Sequence, residues 1–134
     1  MAGYLLDTNH LSAAIRPVSL IRDRILQTIR RGLRLGTCVP VLCELQAGIR
    51  NTHDPAWYQR RLSSILRHVR IWPVEFDIAV LYGDLFHELA RAGRVVSQVD
   101  MMIMAMAKLS NLTILTSDQD FLAIPSIHTE NWLL

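Results

Sequence analysis

The chain opens with a short apolar run, residues 3–6, that predicts a buried strand. It breaks at Asp7-Thr8-Asn9, and a short helix follows through Ile15. Pro17 ends that helix and opens a second, in which Val18, Ile21, Ile25 and Ile29 recur at helical spacing and Gly32 supplies the stop. Residues 35–39 predict a second strand. Pro40 starts a helix that stops between Gly48 and Asn51, and Asp54-Pro55 opens another through about His68. A third strand is expected at 70–74. Residues 75–92 form a long amphipathic pattern with Ile78, Tyr82, Leu85, Phe86 and Leu89 on one side and Gly93 at its end. Residues 99–109 read as a helix buried on most sides, 112–115 as a strand, 118–124 as a turn or short helix, and 127–129 as a last short strand. Strands separated by helices predict an α/β fold, a three-layer α/β/α sandwich around a mainly parallel sheet of four to five strands. No repeat, linker or low-complexity segment divides the 134 residues, so one domain over 1–134 is expected.

Composition narrows the setting. The longest apolar run, residues 101–107, is far short of the roughly 20 residues that span a bilayer, so no membrane partner is expected. The start of the chain lacks the basic stretch and small-residue cleavage site of a signal peptide. Cys38 and Cys43 form no CxxC pair and no disulfide framework. A reducing, cytoplasmic location is the expectation.

The net charge of +2 conceals an asymmetry. Residues 16–70 hold eleven arginines against Asp23, Glu44 and Asp54, a net of +8, whereas residues 71–134 carry a net of −5. Thirteen of the fourteen basic residues are arginine, the side chain suited to forked contacts with phosphate. Solvated helix faces account for this pattern; so does a nucleic-acid-facing half beside an acidic half.

Four carboxylates carry the candidate chemistry. Asp7 and Asp118 each follow a predicted strand at its carboxyl end, where open α/β sheets bind ligands. Asp100 lies in the first turn of the helix that feeds strand four, and each of these three aspartates also suits a helix N-cap. Glu44 has no such account. It sits inside the otherwise apolar segment 39–47, and is either an outward-pointing residue or a buried carboxylate in need of a cation. Together the four can face one edge of a parallel sheet. Carboxylates gathered in one pocket repel unless protons or a cation intervene, and hard oxygen donors favour Mg²⁺ or Mn²⁺. Thr8, Asn9 and Thr116 supply supporting hydroxyl and amide groups. Such a site suits hydrolysis of a phosphodiester. There is no P-loop, GxGxxG, GxSxG or HExxH motif. The five histidines are scattered; only His10 lies near the pocket, where a packing role competes with a supporting one. The methionines at 101, 102, 104 and 106 read as core filler. Trp57, Tyr58 and Trp72 are the few aromatics available for stacking on a base.

In this order and spacing the residues resemble the PIN-domain family. The similarity lies in Leu5-Leu6-Asp7-Thr8-Asn9, in Glu44-Leu45 within an apolar helix, in the glycine, spacer, aspartate and alanine-rich helix from Gly93 through Asp100 to Ala107, and in residues 114–121. The length is similar to VapC-type toxins of toxin–antitoxin pairs. That resemblance implies a Mg²⁺- or Mn²⁺-dependent endoribonuclease with RNA as substrate, a cognate antitoxin and a homodimer. It maps the family's acidic positions onto Asp7, Glu44, Asp100 and Asp118, with Asp7, Asp100 and Asp118 as metal ligands, Glu44 as ligand or water-positioning base, and Thr116 as the hydroxyl near the last acid. Met101-Met102 is bulkier than the small residues usual after the third acid, and Asp120 competes with Asp118 for the last acidic place. Asp84 and Glu88 read as surface charges. The rival reading is a non-catalytic RNA-binding or scaffold module with a PIN-like fold. A phospho-acceptor receiver domain ranks lower, because Asp7 lacks an early acidic neighbour and Lys108 precedes the late strand.

Overall fold

The apolar run at the start of the chain finds one partner more than a hundred residues away. In the computed structural model, which describes residues 3–133, Leu5 pairs in register with Ile114 and Leu6 with Leu115, and all four side chains are fully buried. Burial on both faces explains why these strands read as continuous apolar runs and not as alternating ones.

The elements are β1 (Gly3–Leu6), α1 (Thr8–Ala14), α2 (Leu20–Arg30), β2 (Arg34–Cys38), α3 (Val39–Arg50), α4 (Pro55–Leu66), β3 (Arg70–Trp72), α5 (Ile78–Arg91), α6 (Gln98–Ser110), β4 (Thr113–Leu115) and β5 (Thr129–Glu130). A 3-10 turn, Gln119–Ala123, lies between the last two strands. The sheet order is β3-β2-β1-β4-β5 and every pairing is parallel. From β1 the chain builds outward to β3, then returns across β1 to add β4 and β5. Right-handed crossovers running in opposite directions put their helices on opposite faces, which gives the three layers. The reversal leaves a crevice beyond the carboxyl ends of β1 and β4, where such folds bind ligands. No helix among the described residues is long and apolar enough to cross a membrane.

Several boundaries differ from the sequence pattern, each for a local reason. The second helix starts at Leu20, not at Pro17, because the Ser19 hydroxyl accepts from the Arg22 N–H at 3.1 Å and caps it; Val18 stays outside, 88% exposed. The long helix begins at Ile78, and its buried stripe is Ile78, Leu85 and Leu89, while Phe86 turns outward. The last strand is Thr129–Glu130, shifted from 127–129, because it pairs with Ile114 and Leu115. Helix α6 runs on to Ser110 and ends at Asn111, whose φ of 53° supplies the left-handed cap that glycine usually provides. In β2, a Cβ at Gly36 would collide with the Arg70 carbonyl oxygen, so this glycine lets β3 approach as the edge strand.

Candidate active site

Asp7 terminates β1 and caps α1. Its extended backbone turns the carboxylate inward, where it is 4% exposed. One oxygen, Oδ1, accepts from the Thr8 N–H at 2.7 Å. The other, Oδ2, accepts from the Thr116 hydroxyl at 2.7 Å and the Asn9 amide at 3.5 Å. Burial pushes the Asp7 carboxyl above its ordinary range; the bonds from Thr116 and Thr8 pull the other way, and the charges of Glu44 and Asp118 add to the rise.

Asp100 was a candidate cap for α6, but the cap is Ser97, whose hydroxyl accepts from the Asp100 N–H at 3.1 Å. That arrangement frees the Asp100 carboxylate to face the crevice. Its pKa is pushed up to about 6, by burial first and then by the charges of Asp7 and Asp118. Asp118 does cap, accepting from the Asp120 N–H at 2.9 Å, and its own N–H donates to the Thr116 hydroxyl at 3.0 Å. Thr116 therefore joins the ends of β1 and β4 through one oxygen.

Of the two readings of Glu44, the outward-pointing one holds. Glu44 is exposed on the outer side of α3, not sunk in an apolar helix, because the buried face of α3 is made by Val41, Leu45 and Ile49. It nevertheless leans over the crevice, where its Oε1 accepts from the Thr8 hydroxyl at 2.7 Å. Asp7, Glu44, Asp100 and Asp118 thus line one open cleft of about 620 Å³, with Ser12 and Arg16 on the same wall. Thr8 and Ser12 stand one turn apart on α1, with Arg16 just past its end; that polar spacing is visible in the sequence and was the signal for both.

Asp120 is a further acid the structure brings in. Carboxylate oxygens of Asp100, Asp118 and Asp120 all lie within 4.8 Å of one another. Oxygens on opposite sides of an octahedral Mg²⁺ are about 4.2 Å apart, so a set within 4.8 Å is close to the size that one such ion needs. Asp120 also lies 3.6 Å from Arg94, the single ion pair among the described residues. Asp7 is outside that trio, its oxygens already engaged by three donors. Asp84 and Glu88 are exposed on α5 and do not line the cleft. The donor chemistry fits a hard divalent cation: all oxygen, crowded, with raised acid pKa values and no cation paired with Asp100 or Asp118 among the described residues.

His10 is fully buried behind this cluster. Its Nε2 accepts from the Trp132 N–H at 2.9 Å, which leaves the proton on Nδ1, 2.7 Å from the Asn9 Oδ1. Asn9 Oδ1 also accepts from the Ser117 N–H at 3.3 Å. Two donors on one side fix the amide so that its Nδ2 faces Asp7 and Thr116. Burial and the Arg24 charge lower the His10 pKa to about 4, so it stays neutral. Nothing in the spacing of His10 announced this role, because Trp132 is 122 positions away.

The arginine surplus is partly structural. Arg61 donates to the Ile15 and Arg16 carbonyls, at 3.3 and 2.7 Å. Arg34 donates to the Ser110 carbonyl at 3.2 Å, and the Arg24 guanidinium lies 4.0 Å above the Trp132 ring. Arg16, Arg30, Arg31, Arg50, Arg60, Arg67 and Arg70 are exposed.

Comparison with known proteins agrees with this geometry. The chain is 29% identical over 132 residues to Ribonuclease VapC2 of Rickettsia felis, covering 96% of this chain and 97% of that protein. It superposes with a TM-score of 0.87 and 27% identity on a chain in the crystal structure of VapBC2 from Rickettsia felis bound to a DNA fragment from their promoter, covering 96% and 98% of the two chains. A chain in the DNA-bound VapBC structure from Salmonella typhimurium gives 0.84 and 25%, with 98% and 99% covered. The PIN domain family model matches residues 4–126, a span that includes every acid lining the cleft. The crevice at the β1–β4 reversal therefore sits within a matched family domain, and the chain belongs to the PIN-domain family.

Proposed function

We propose that this chain is a divalent-metal-dependent endoribonuclease acting as the toxin of a VapBC-type pair. The observation that carries the reading is the convergence of Asp7, Glu44, Asp100 and Asp118, from four separate stretches of chain, on one cleft, with Asp100 pushed up to about 6 by burial and then by the neighbouring acids. The similarity to Ribonuclease VapC2 and to chains in VapBC complexes supports the same reading.

Asp100 and Asp118 would hold Mg²⁺ or Mn²⁺ with Asp120 beside them, and Asp7, whose two carboxylate oxygens keep a lone pair beyond their three donors, would complete the set. Bound there, such an ion polarises a phosphoryl oxygen and lowers the pKa of an attacking water. The chain's own residues do the rest. Thr116 and Asn9 hold Asp7 in one orientation. Thr8 holds Glu44 through Oε1, which leaves Oε2 at the rim to accept the proton of the attacking water. Arg16 on the same wall meets the RNA backbone as a forked donor to phosphate. The exposed arginines extend that attraction along the surface.

The partners belong to the same proposal: single-stranded RNA in the cytoplasm, a cognate antitoxin and a second copy of the chain. Exposed Ile71, Val74, Phe76 and Val80, on β3 and the approach to α5, are the apolar surface that supports a homodimer.

The test is cleavage of single-stranded RNA by the purified chain with Mg²⁺ or Mn²⁺, abolished by a chelator. Asp7→Asn keeps the α1 cap, since asparagine caps as well as aspartate, so it is expected to fold and to lose at least about a hundredfold in kcat. Full metal-dependent cleavage by that variant, or none by the parent chain, would overturn the proposal.

A further inference from the structure

A second cleft opens off the acidic one. It lies between α1, α3 and α4 and has a volume of about 250 Å³. Thr8, Ser12, Arg16 and Glu44 line both clefts, so the two are continuous at that rim. Away from the acids the walls change character. Ile15, Leu45 and Ile49, all nearly buried, form an apolar floor. The half-buried Tyr58 stands at one side, its ring held at 86° to Trp57 and at 88° to His53. Two hydroxyls reach the space. That of Thr52 donates to the Ile49 carbonyl, and that of Ser12 has no hydrogen bond among the described residues.

Gly48 lines the cleft on the α3 side. It lies inside α3, where glycine is destabilising relative to alanine. No packing requirement explains it: its φ is not positive, and a Cβ built there meets nothing within 4 Å. The missing side chain leaves free space on the wall of this cleft.

We infer that this cleft is the subsite for the nucleobase of the nucleotide that flanks the scissile phosphate, a specificity-determining pocket of the active site; the inference rests on the ribonuclease reading above. An aromatic side chain, an apolar floor and two hydroxyls match the way single-stranded RNA is read, by a splayed-out base that is stacked and hydrogen-bonded at its edge. Arg16 stands at the shared rim, where the phosphate of that same nucleotide would pass. The occupant is a base of the bound strand because the cleft opens directly onto the acidic one along Thr8, Ser12, Arg16 and Glu44.

The test uses the full chain with Mg²⁺ or Mn²⁺ and a short RNA carrying one mapped cleavage site, alongside the same RNA made abasic at each flanking position in turn. Gly48→Leu puts a side chain on the wall of the cleft at a position where a Cβ meets nothing within 4 Å, and Gly48→Ala controls for helix effects. The expected result is that one abasic position raises KM for the parent chain by about tenfold, the scale of a lost stacking contact. Gly48→Leu should raise KM similarly on intact RNA, leave kcat unchanged, and make no further difference on the abasic RNA. Equal cleavage of intact RNA by Gly48→Leu and parent would overturn the inference while leaving the ribonuclease reading standing. So would an equal loss on intact and abasic RNA, or a Gly48→Leu variant that cuts normally but escapes inhibition by the antitoxin, which would assign the cleft to the protein partner. No cleavage by the parent chain would overturn both.

Discussion

Asp100 shows how position converts an ordinary carboxylate into a responsive one. Its folded pKa of about 6 lies above the ordinary aspartate value of 3.8. For an acid raised on folding, the stabilising contribution is present below the unfolded value and is lost as pH rises through the folded one. Asp7 has the same sign. His10 has the opposite one: lowered from 6.5 to about 4, its contribution is present above 6.5 and is lost as pH falls through 4. The Asp100 and His10 windows overlap between about pH 4 and 6, and at about 1.4 kcal/mol per pKa unit they are comparable in size. Their opposition should make the urea midpoint of the metal-free chain change little across that range, with Asp7 adding to the Asp100 side. Asp100→Asn removes one acid from that side, so on acidification from pH 6.5 to 4.5 its midpoint should fall relative to that of the parent chain. Identical pH profiles for the two proteins would contradict the assignment. With metal present, protons compete for Asp100, and apparent metal affinity should weaken as pH drops below about 6.

At the scale of elements, the site depends on how α1 meets the segment after β5. His10, on α1, takes a hydrogen bond from Trp132 and passes one to Asn9, which steadies Asp7. The end of the chain is thus a support for the first acid. Replacement of His10 by asparagine keeps a donor near the Nδ1 position, whereas glutamine reaches only the Nε2 position. His10→Ala and His10→Gln should each lose about tenfold in kcat with KM little changed, a loss of the size seen when outer partners of a metal site are removed. His10→Asn should recover most of it. If all three variants lost activity in proportion to their loss of melting temperature, the role would be packing alone. Helix capping is the second lesson at this scale. Because Ser97 takes the cap of α6, Asp100 is left free for chemistry; Asp7 caps with one oxygen and faces the cleft with a carboxylate held by two side chains.

For the whole molecule, the sheet order decides where chemistry can occur, and the charge distribution decides what is drawn there. The reversal at β1 puts the acids in a crevice on one edge, while the exposed arginines lie on α2, α3, α4 and the segments beside them. The apolar surface around Phe76, which is 92% exposed, lies on a different part of the chain from the cleft residues. Phe76→Asp should therefore lower the solution mass measured by light scattering from dimer toward monomer without changing the melting temperature of the monomer by more than about 1 °C. An unchanged mass, with the parent chain dimeric, would place the interface elsewhere. An exposed substitution away from packed features is expected to perturb folding little.

The sequence by itself determined the alternation of strands and helices, because hydrophobic period and turn residues are local properties. Residues 3–6, 112–115 and the stripe of Ile78, Leu85 and Leu89 were legible for that reason. It also placed Asp7 and Asp118 beyond strand ends, Asp7 directly after one apolar run and Asp118 three residues after another. The tertiary structure alone decided that β4 lies beside β1, which is what brings Asp118 to Asp7 through Thr116. It turned Glu44 outward while keeping it on Thr8, a choice set by which face of α3 packs. It set Asp120 beside Asp118 and Asp100, where the sequence offered Asp118 and Asp120 as rivals for one place, and it tied His10 to a tryptophan 122 residues away. Such contacts depend on chain segments whose separation in sequence carries no periodic signal, so only the packed sheet reveals them.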